Sequence, residues 1–181
     1  MSVKRRNPQP LTSARLEEMA LAYVARFATT QAKLRSYLQR KLRECGWEGD
    51  GAPQVDDLVG RYVELGYVDD AAWARMTAGS LLRRGYGVRR VGEALGQGGV
   101  EEDLRGQCAP DEAAQREAAL VLARRRRFGP FAVQPVGRLL REKHLAAMLR
   151  AGHRLDIARR IVDAEDPEAA QAWVAELSGA D

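Results

Sequence analysis

A spaced repeat limits this fold more than any other feature. Leu38, Leu42 and Gly46 are matched by Val91, Leu95 and Gly99, each 53 positions on (38 to 91, 42 to 95, 46 to 99). Gly152 stands another 53 beyond Gly99, preceded by Leu145 and Leu149, with the last spacing one residue shorter. Two apolar residues and a glycine at intervals of four describe one side of a helix and its stop signal. The chain therefore predicts three copies of one helical unit. Three short helices bury little alone, and stacking on a neighbour extends a shared core. No stretch keeps the period-2 alternation of a strand for more than a few residues. The expected fold is all-α, with three tandem three-helix repeats in an elongated, curved array and a short C-terminal helix.

The boundaries follow from caps and breaks. Residues 1–12 hold Lys4, Arg5, Arg6, Pro8 and Pro10 and are expected to form a basic mobile arm. Repeat 1 spans 13–66. Its first helix, capped by Ser13, carries Leu16, Met19/Ala20, Tyr23/Val24 and Phe27; its second carries Leu34, Tyr37/Leu38 and Leu42 and stops at Gly46. After a loop over 47–54, a third helix uses Val55, Leu58/Val59 and Tyr62/Val63 and ends at Gly66.

Repeat 2 spans 67–109. It opens with Asp69 or Asp70 as cap and an apolar ridge through Trp73, Met76 and Leu81, followed by helices near 88–97 and 101–108. Repeat 3 spans 110–165. Leu120 and Val121 are its first core candidates, Gly129-Pro130 breaks it, and helices continue through Val136, Leu139/Leu140, Leu145 and Met148/Leu149, then Ile157 and Ile161/Val162. A last helix with Trp173 and Leu177 occupies 166–181 behind Asp166-Pro167.

Little here is equipped for catalysis. His144 and His153 are nine residues apart, in separate elements on either side of Gly152. The ordinary reading of each is a solvated or semi-buried imidazole. The acidic pairs Asp56-Asp57, Asp69-Asp70 and Glu101-Glu102 stand at helix starts, where capping accounts for them. Cys45 and Cys108 belong to no metal or disulfide pattern. Gly85-x-Gly87 follows no strand and precedes no Gly-Lys-Ser/Thr, so it is an inter-helix turn. No catalytic residue, metal or cofactor is expected.

Cations say more. The 181 residues carry a formal charge of only +4, yet the arginines are bunched: Arg83, Arg84, Arg89 and Arg90 flank one turn, and Arg124, Arg125, Arg126 and Arg127 close a helix. Such clusters are either solvated helix faces or one anion-binding surface. Forked guanidinium groups suit phosphates and carboxylates alike, so a DNA backbone and an acidic protein both qualify. Tyr86, between two glycines and beside four arginines, is a candidate anchor. No apolar run is long enough for a membrane helix and no secretory signal opens the chain, so the expected location is the cytoplasm.

The stretch 66–100 ties these observations to a known family. Gly66-Tyr67-Val68-Asp69-Asp70, Trp73-Ala74, Arg83-Arg84, Gly87, Arg89-Arg90-Val91, Leu95 and Gly99-Val100 in that order resemble the middle of the RecX family, modulators of the RecA recombinase. The resemblance implies three three-helix repeats, no catalytic activity, and a place in homologous recombination, DNA repair and the SOS response. It further implies a protein that binds the RecA filament on single-stranded DNA, lies in its groove and restrains ATP-dependent recombination; a stacked repeat needs no second chain, so a monomer is expected. The contact is expected at Arg83, Arg84, Tyr86, Arg89, Arg90, Arg124, Arg125, Arg126 and Arg127. Two rivals use the same cations: a non-specific DNA-binding protein, and an adaptor for another acidic protein.

Overall fold

Helix starts are set by side-chain oxygens that accept otherwise unpaired backbone N–H groups. Thr12, Thr30, Asp69, Asp111 and Asp166 each accept from the residue three positions on. In the computed structural model, which describes residues 9–177, the helices are α1 (Ser13–Val24), α2 (Gln31–Cys45), α3 (Val55–Glu64), α4 (Asp70–Arg83), α5 (Val88–Gln97), α6 (Glu102–Gln107), α7 (Glu112–Arg126), α8 (Arg138–Arg150), α9 (Leu155–Val162) and α10 (Pro167–Ala175). A 3₁₀ turn occupies Gly129–Phe131. Among the described residues the one extended pairing is a single parallel bridge between Leu11 and Trp47.

Several sequence expectations shift. Thr12, not Ser13, caps the first helix. That helix ends at Val24, which leaves Phe27 beyond it and 55% exposed. Of the three acidic pairs only Asp69 caps its own helix through its side chain, while Asp70 Oδ1 accepts the Gln31 N–H at the start of α2 at 2.9 Å. Gln54 and Glu101 occupy the other two cap positions without a side-chain bond, and Asp56, Asp57 and Glu102 oppose the helix dipole from the first turn. Most of the expected N-terminal arm lies outside the described residues. Within them, Leu11 is buried and pairs its backbone with Gly46 and Glu48.

The repeat glycines occupy equivalent places. Gly46, Gly99 and Gly152 follow α2, α5 and α8, the middle helix of each predicted repeat, with φ of 84°, 71° and 93°.

The described residues divide into two compact units. The first contains α1, α2, α3 and the start of α4, together with Gly98–Val100. Leu16, Leu34, Leu38, Val59 and Tyr62 fill its core. Gly98–Val100 docks onto the start of α2, where the Thr30 hydroxyl donates to the Gly98 carbonyl. Trp73 packs beneath the Lys33 ammonium, 4.0 Å from the ring centroid.

The second unit holds Ala74–Gln97 and the chain from Glu101 onward. Leu122, Leu145, Met148, Ile161 and Val174 lie at its centre, among buried alanines that include Ala119, Ala123, Ala158 and Ala170. Small side chains let helix axes approach, so alanine does much of the packing here. The same rule corrects the ridge expected on α4. Ala74, Ala78 and Leu81 are buried at helical spacing, while Met76 is 52% exposed. On α8, Leu139 is 81% exposed and the buried face begins at His144 and Leu145. Helix α10 belongs to this core through Ala170 and Val174.

Two turns of the second unit interlock through their backbones. Gly87 N–H donates to the Ala151 carbonyl at 2.9 Å and Arg89 N–H to the Gly152 carbonyl at 3.1 Å. The positive end of α5 therefore meets the negative end of α8. His153 Nε2–H completes the seam by donating to the Gly85 carbonyl at 3.0 Å. Nearby, His144 Nδ1 accepts the Gly129 N–H at 3.1 Å, and its ring stacks on Phe128. Both imidazoles are buried, contrary to the solvated or semi-buried reading.

Burial pushes both histidine pKa values down, with the Gly85 bond partly opposing this at His153. The unfolded chain thus binds these protons more readily than the folded one. Stability is fully present above the ordinary histidine pKa of about 6.5 and is lost as pH falls below it, by up to about 1.4 kcal/mol per pH unit for His153. Urea unfolding between neutral and mildly acidic pH is expected to show this fall, and His153→Gln to flatten it.

Candidate functional site

The two arginine clusters named from sequence lie in one unit and are joined by a close approach. A Cβ on Gly85 would stand 2.9 Å from Leu122 N and 3.0 Å from Leu122 Cα, so the turn after α4 rests directly on the backbone of α7. Arg83 and Arg84 immediately precede that turn. Arg125 and Arg126 follow Leu122 by three and four residues, one helical turn along the same side of α7. Arg83, Arg84, Arg124, Arg125, Arg126 and Arg127 are all exposed. None makes an ion pair with a described residue.

The end of α7 is unusual in one respect. Helices α3, α4 and α8 finish alike: the residue after the last turn has positive φ, and paired 6→1 and 5→2 backbone bonds close the end, such as Tyr86 N–H to Leu81 O and Gly85 N–H to Leu82 O. Gly66, Gly85 and Gly152 take the left-handed position in those three. Helix α7 closes the same way, with Phe128 N–H to Ala123 O and Arg127 N–H to Arg124 O, but the left-handed residue is Arg127, at φ 56° and ψ 50°.

An L-residue with a Cβ is disfavoured there. Arg127→Gly is expected to raise unfolding free energy by about 0.5–1 kcal/mol. Arg126→Gly, inside the helix, is expected to lower it by a similar amount. Urea unfolding of both variants separates the two effects.

Arg89 and Arg90 are differently occupied. The Arg89 guanidinium donates to the Leu149 carbonyl at 2.9 Å and lies 3.7 Å from Glu93, and Arg90 pairs with Glu93 at 3.2 Å. They serve the seam between α5 and α8. Tyr86 is half-buried, with the Arg84 guanidinium 5.3 Å from its ring centroid; Arg124 is similarly placed 5.9 Å from Phe131. Helical spacing could have found the Glu93 pairs, at four residues from Arg89 and three from Arg90, but not the Arg89 bond to Leu149, 60 residues away.

Among the described residues no group of three or more His, Cys, Asp or Glu side chains converges as a metal site. Nor is any helix there long and apolar enough to cross a membrane. Cys45 and Cys108 are free thiols.

A helical chain presenting unpaired arginines is a general design, and comparison with known proteins narrows it. The regulatory protein RecX of Myxococcus xanthus is 32% identical over 167 residues, covering 87% of this chain and 89% of that one. This chain belongs to the RecX family. The regulatory protein RecX of Mycobacterium sp. (strain JLS) is 31% identical over 169 residues, 91% of each chain. No family model matches the chain.

Solved RecX structures share the fold. That of RecX from Lactobacillus salivarius superposes with a TM-score of 0.67 at 16% identity, over 83% of this chain and 94% of that one. A second RecX crystal structure gives 0.59 at 21% identity, over 84% and 74%. The all-helical architecture is therefore that of RecX proteins, and the resemblance read from residues 66–100 extends over most of the chain.

Proposed function

We propose that this RecX-family chain regulates the RecA recombinase by binding its nucleoprotein filament, lying in the filament groove as a monomer and inhibiting ATP hydrolysis and recombination. The observation that carries the contact is the arginine surface: six exposed guanidinium groups from two helix ends joined at Gly85 and Leu122, without counter-ions among the described residues. A groove holding DNA and acidic protein supplies the missing anions. Bridging neighbouring protomers restricts the motions that strand exchange needs, and the effect on ATP hydrolysis follows from preference for one filament state. Arg83, Arg84, Arg124, Arg125, Arg126 and Arg127 make the contacts in this reading, with Tyr86 beside them; Arg89 and Arg90 hold the supporting turn.

Titrating the protein into RecA hydrolysing ATP on single-stranded DNA tests the proposal. Inhibition at low stoichiometry is the expected result. A folded chain that leaves hydrolysis unchanged, at salt where the filament is stable, overturns it.

The same unpaired cations favour non-specific DNA binding as the second reading. Salt-steep binding to DNA that added RecA does not alter would establish that alternative.

A further inference from the structure

The first unit carries an aromatic array that its core explains only in part. Tyr23 and Tyr37 stack with ring centroids 4.2 Å apart and 19° between planes. Phe27 lies 5.3 Å from Tyr23 at 51°. The two tyrosines are half-buried against the core of α1, α2 and α3, but Phe27 stands outside that core and more than half exposed. Three rings in sequence, the last one open to water, leave an aromatic face for which the fold has no evident use.

Positive charge frames the rings. The Arg40 guanidinium is 5.7 Å from the Tyr37 centroid, and Lys41 is one helical turn from Tyr37 on the same side of α2. Arg26, next to Phe27, is exposed and makes no ion pair with a described residue. Carboxylates nearby are already engaged: Glu44 with Arg40 and Lys41, Glu17 with Arg61 and Glu18 with Arg15. The local balance is positive, since Glu44 alone opposes Arg26, Arg40 and Lys41.

A polymer that repeats one planar aromatic group and one anion per unit fits such a surface, and single-stranded nucleic acid is that polymer. Stacking accepts any base, because every base has a π-face, and flanking cations hold the backbone. An acidic polypeptide could use the ring and the cations, but only a nucleic acid offers a planar face and an anion in every unit.

We infer that Phe27, backed by the Tyr23–Tyr37 stack and flanked by Arg26, Arg40 and Lys41, is a base-stacking platform for single-stranded nucleic acid. The platform lies on the first unit and does not depend on the arginine surface of the second, nor on RecA. It adds a contact that reads unpaired bases to one that reads charge.

Anisotropy with a labelled oligo(dT), compared with an abasic strand of equal length and phosphate count, isolates stacking from charge. The full chain is expected to prefer oligo(dT) by about tenfold. Phe27→Ala and Phe27→Leu are both expected to lose that preference while keeping their affinity for the abasic strand; the leucine variant retains apolar bulk without an aromatic face. Arg26→Gln with Arg40→Gln is expected to weaken binding to both strands. Because Phe27 lies outside the core, these chains should keep the wild-type circular dichroism, which is checked first. Equal affinity of the wild type for both strands, no binding to oligo(dT) at low salt, or an undiminished preference in Phe27→Leu overturns the inference. So does a Phe27→Ala chain that binds oligo(dT) normally but fails to inhibit RecA, which would make the ring a protein contact.

Discussion

Gly152→Ala is expected to lower the unfolding free energy by about 3 kcal/mol or more. Two independent terms combine. At φ 93° a Cβ is strained whatever surrounds it, by about 1–2 kcal/mol. That Cβ would also stand 2.6 Å from Arg90 N and 2.8 Å from Arg90 Cβ, and the backbone at the start of α5 cannot yield without breaking the Arg89 N–H to Gly152 carbonyl bond. Overpacking of this kind typically costs about 1–3 kcal/mol.

Gly66, which closes α3 with the same paired backbone bonds, is the control. It has φ 73° but nothing within 4 Å of an added Cβ, so Gly66→Ala should show the strain alone, about 1–2 kcal/mol. Urea unfolding of the two variants measures both terms. Equal losses would show that the seam at Gly152 contributes nothing beyond backbone strain.

Changing Arg83, Arg84, Arg124, Arg125, Arg126 and Arg127 together to glutamine is expected to raise the concentration needed for half-inhibition of RecA about a hundredfold or more, since charge-assisted contacts contribute about 1.5–3 kcal/mol each when desolvated. The chain should still fold. None of the six pairs with a described carboxylate, glutamine keeps the helix propensity of arginine, and the lost interaction with the α7 dipole is modest and screened.

Arg89→Gln with Arg90→Gln makes the contrasting variant. It removes the bond to Leu149 and the pairs to Glu93, so stability should fall while inhibition by the folded fraction persists. The reverse pattern, inhibition lost with Arg89 and Arg90 and retained without the other six, would move the contact to the start of α5.

Residues local in sequence made much of this molecule legible. The 53-residue spacing of Leu38, Leu42 and Gly46 marks the faces and ends of α2 and α5 because a helix needs apolar residues at its own period and a stop with positive φ, and both demands fall on neighbouring positions. The bounds of α5 and the cap of α4 follow for the same reason: Asp69, one of the two residues expected there, satisfies an N–H group three residues away. Periodicity followed through large apolar residues failed on α4 and α8. Met76 and Leu139 look like core and face water, while Ala74 and Ala78 are buried, because an alanine's burial depends on how closely another helix approaches.

The candidate surface divides along the same line. Sequence by itself determined the helical class, the arginine clusters and the family resemblance of 66–100, since all are properties of short segments. Only tertiary structure decided that Arg89 is tied to the Leu149 carbonyl, that Gly85 rests on Leu122, that both histidines are buried, and that Phe27 stands outside the core beside a tyrosine stack. Each of those facts is a contact or an exposure set by segments distant along the chain or by a helix ending early, and no local pattern specifies which surfaces the folded backbone brings together.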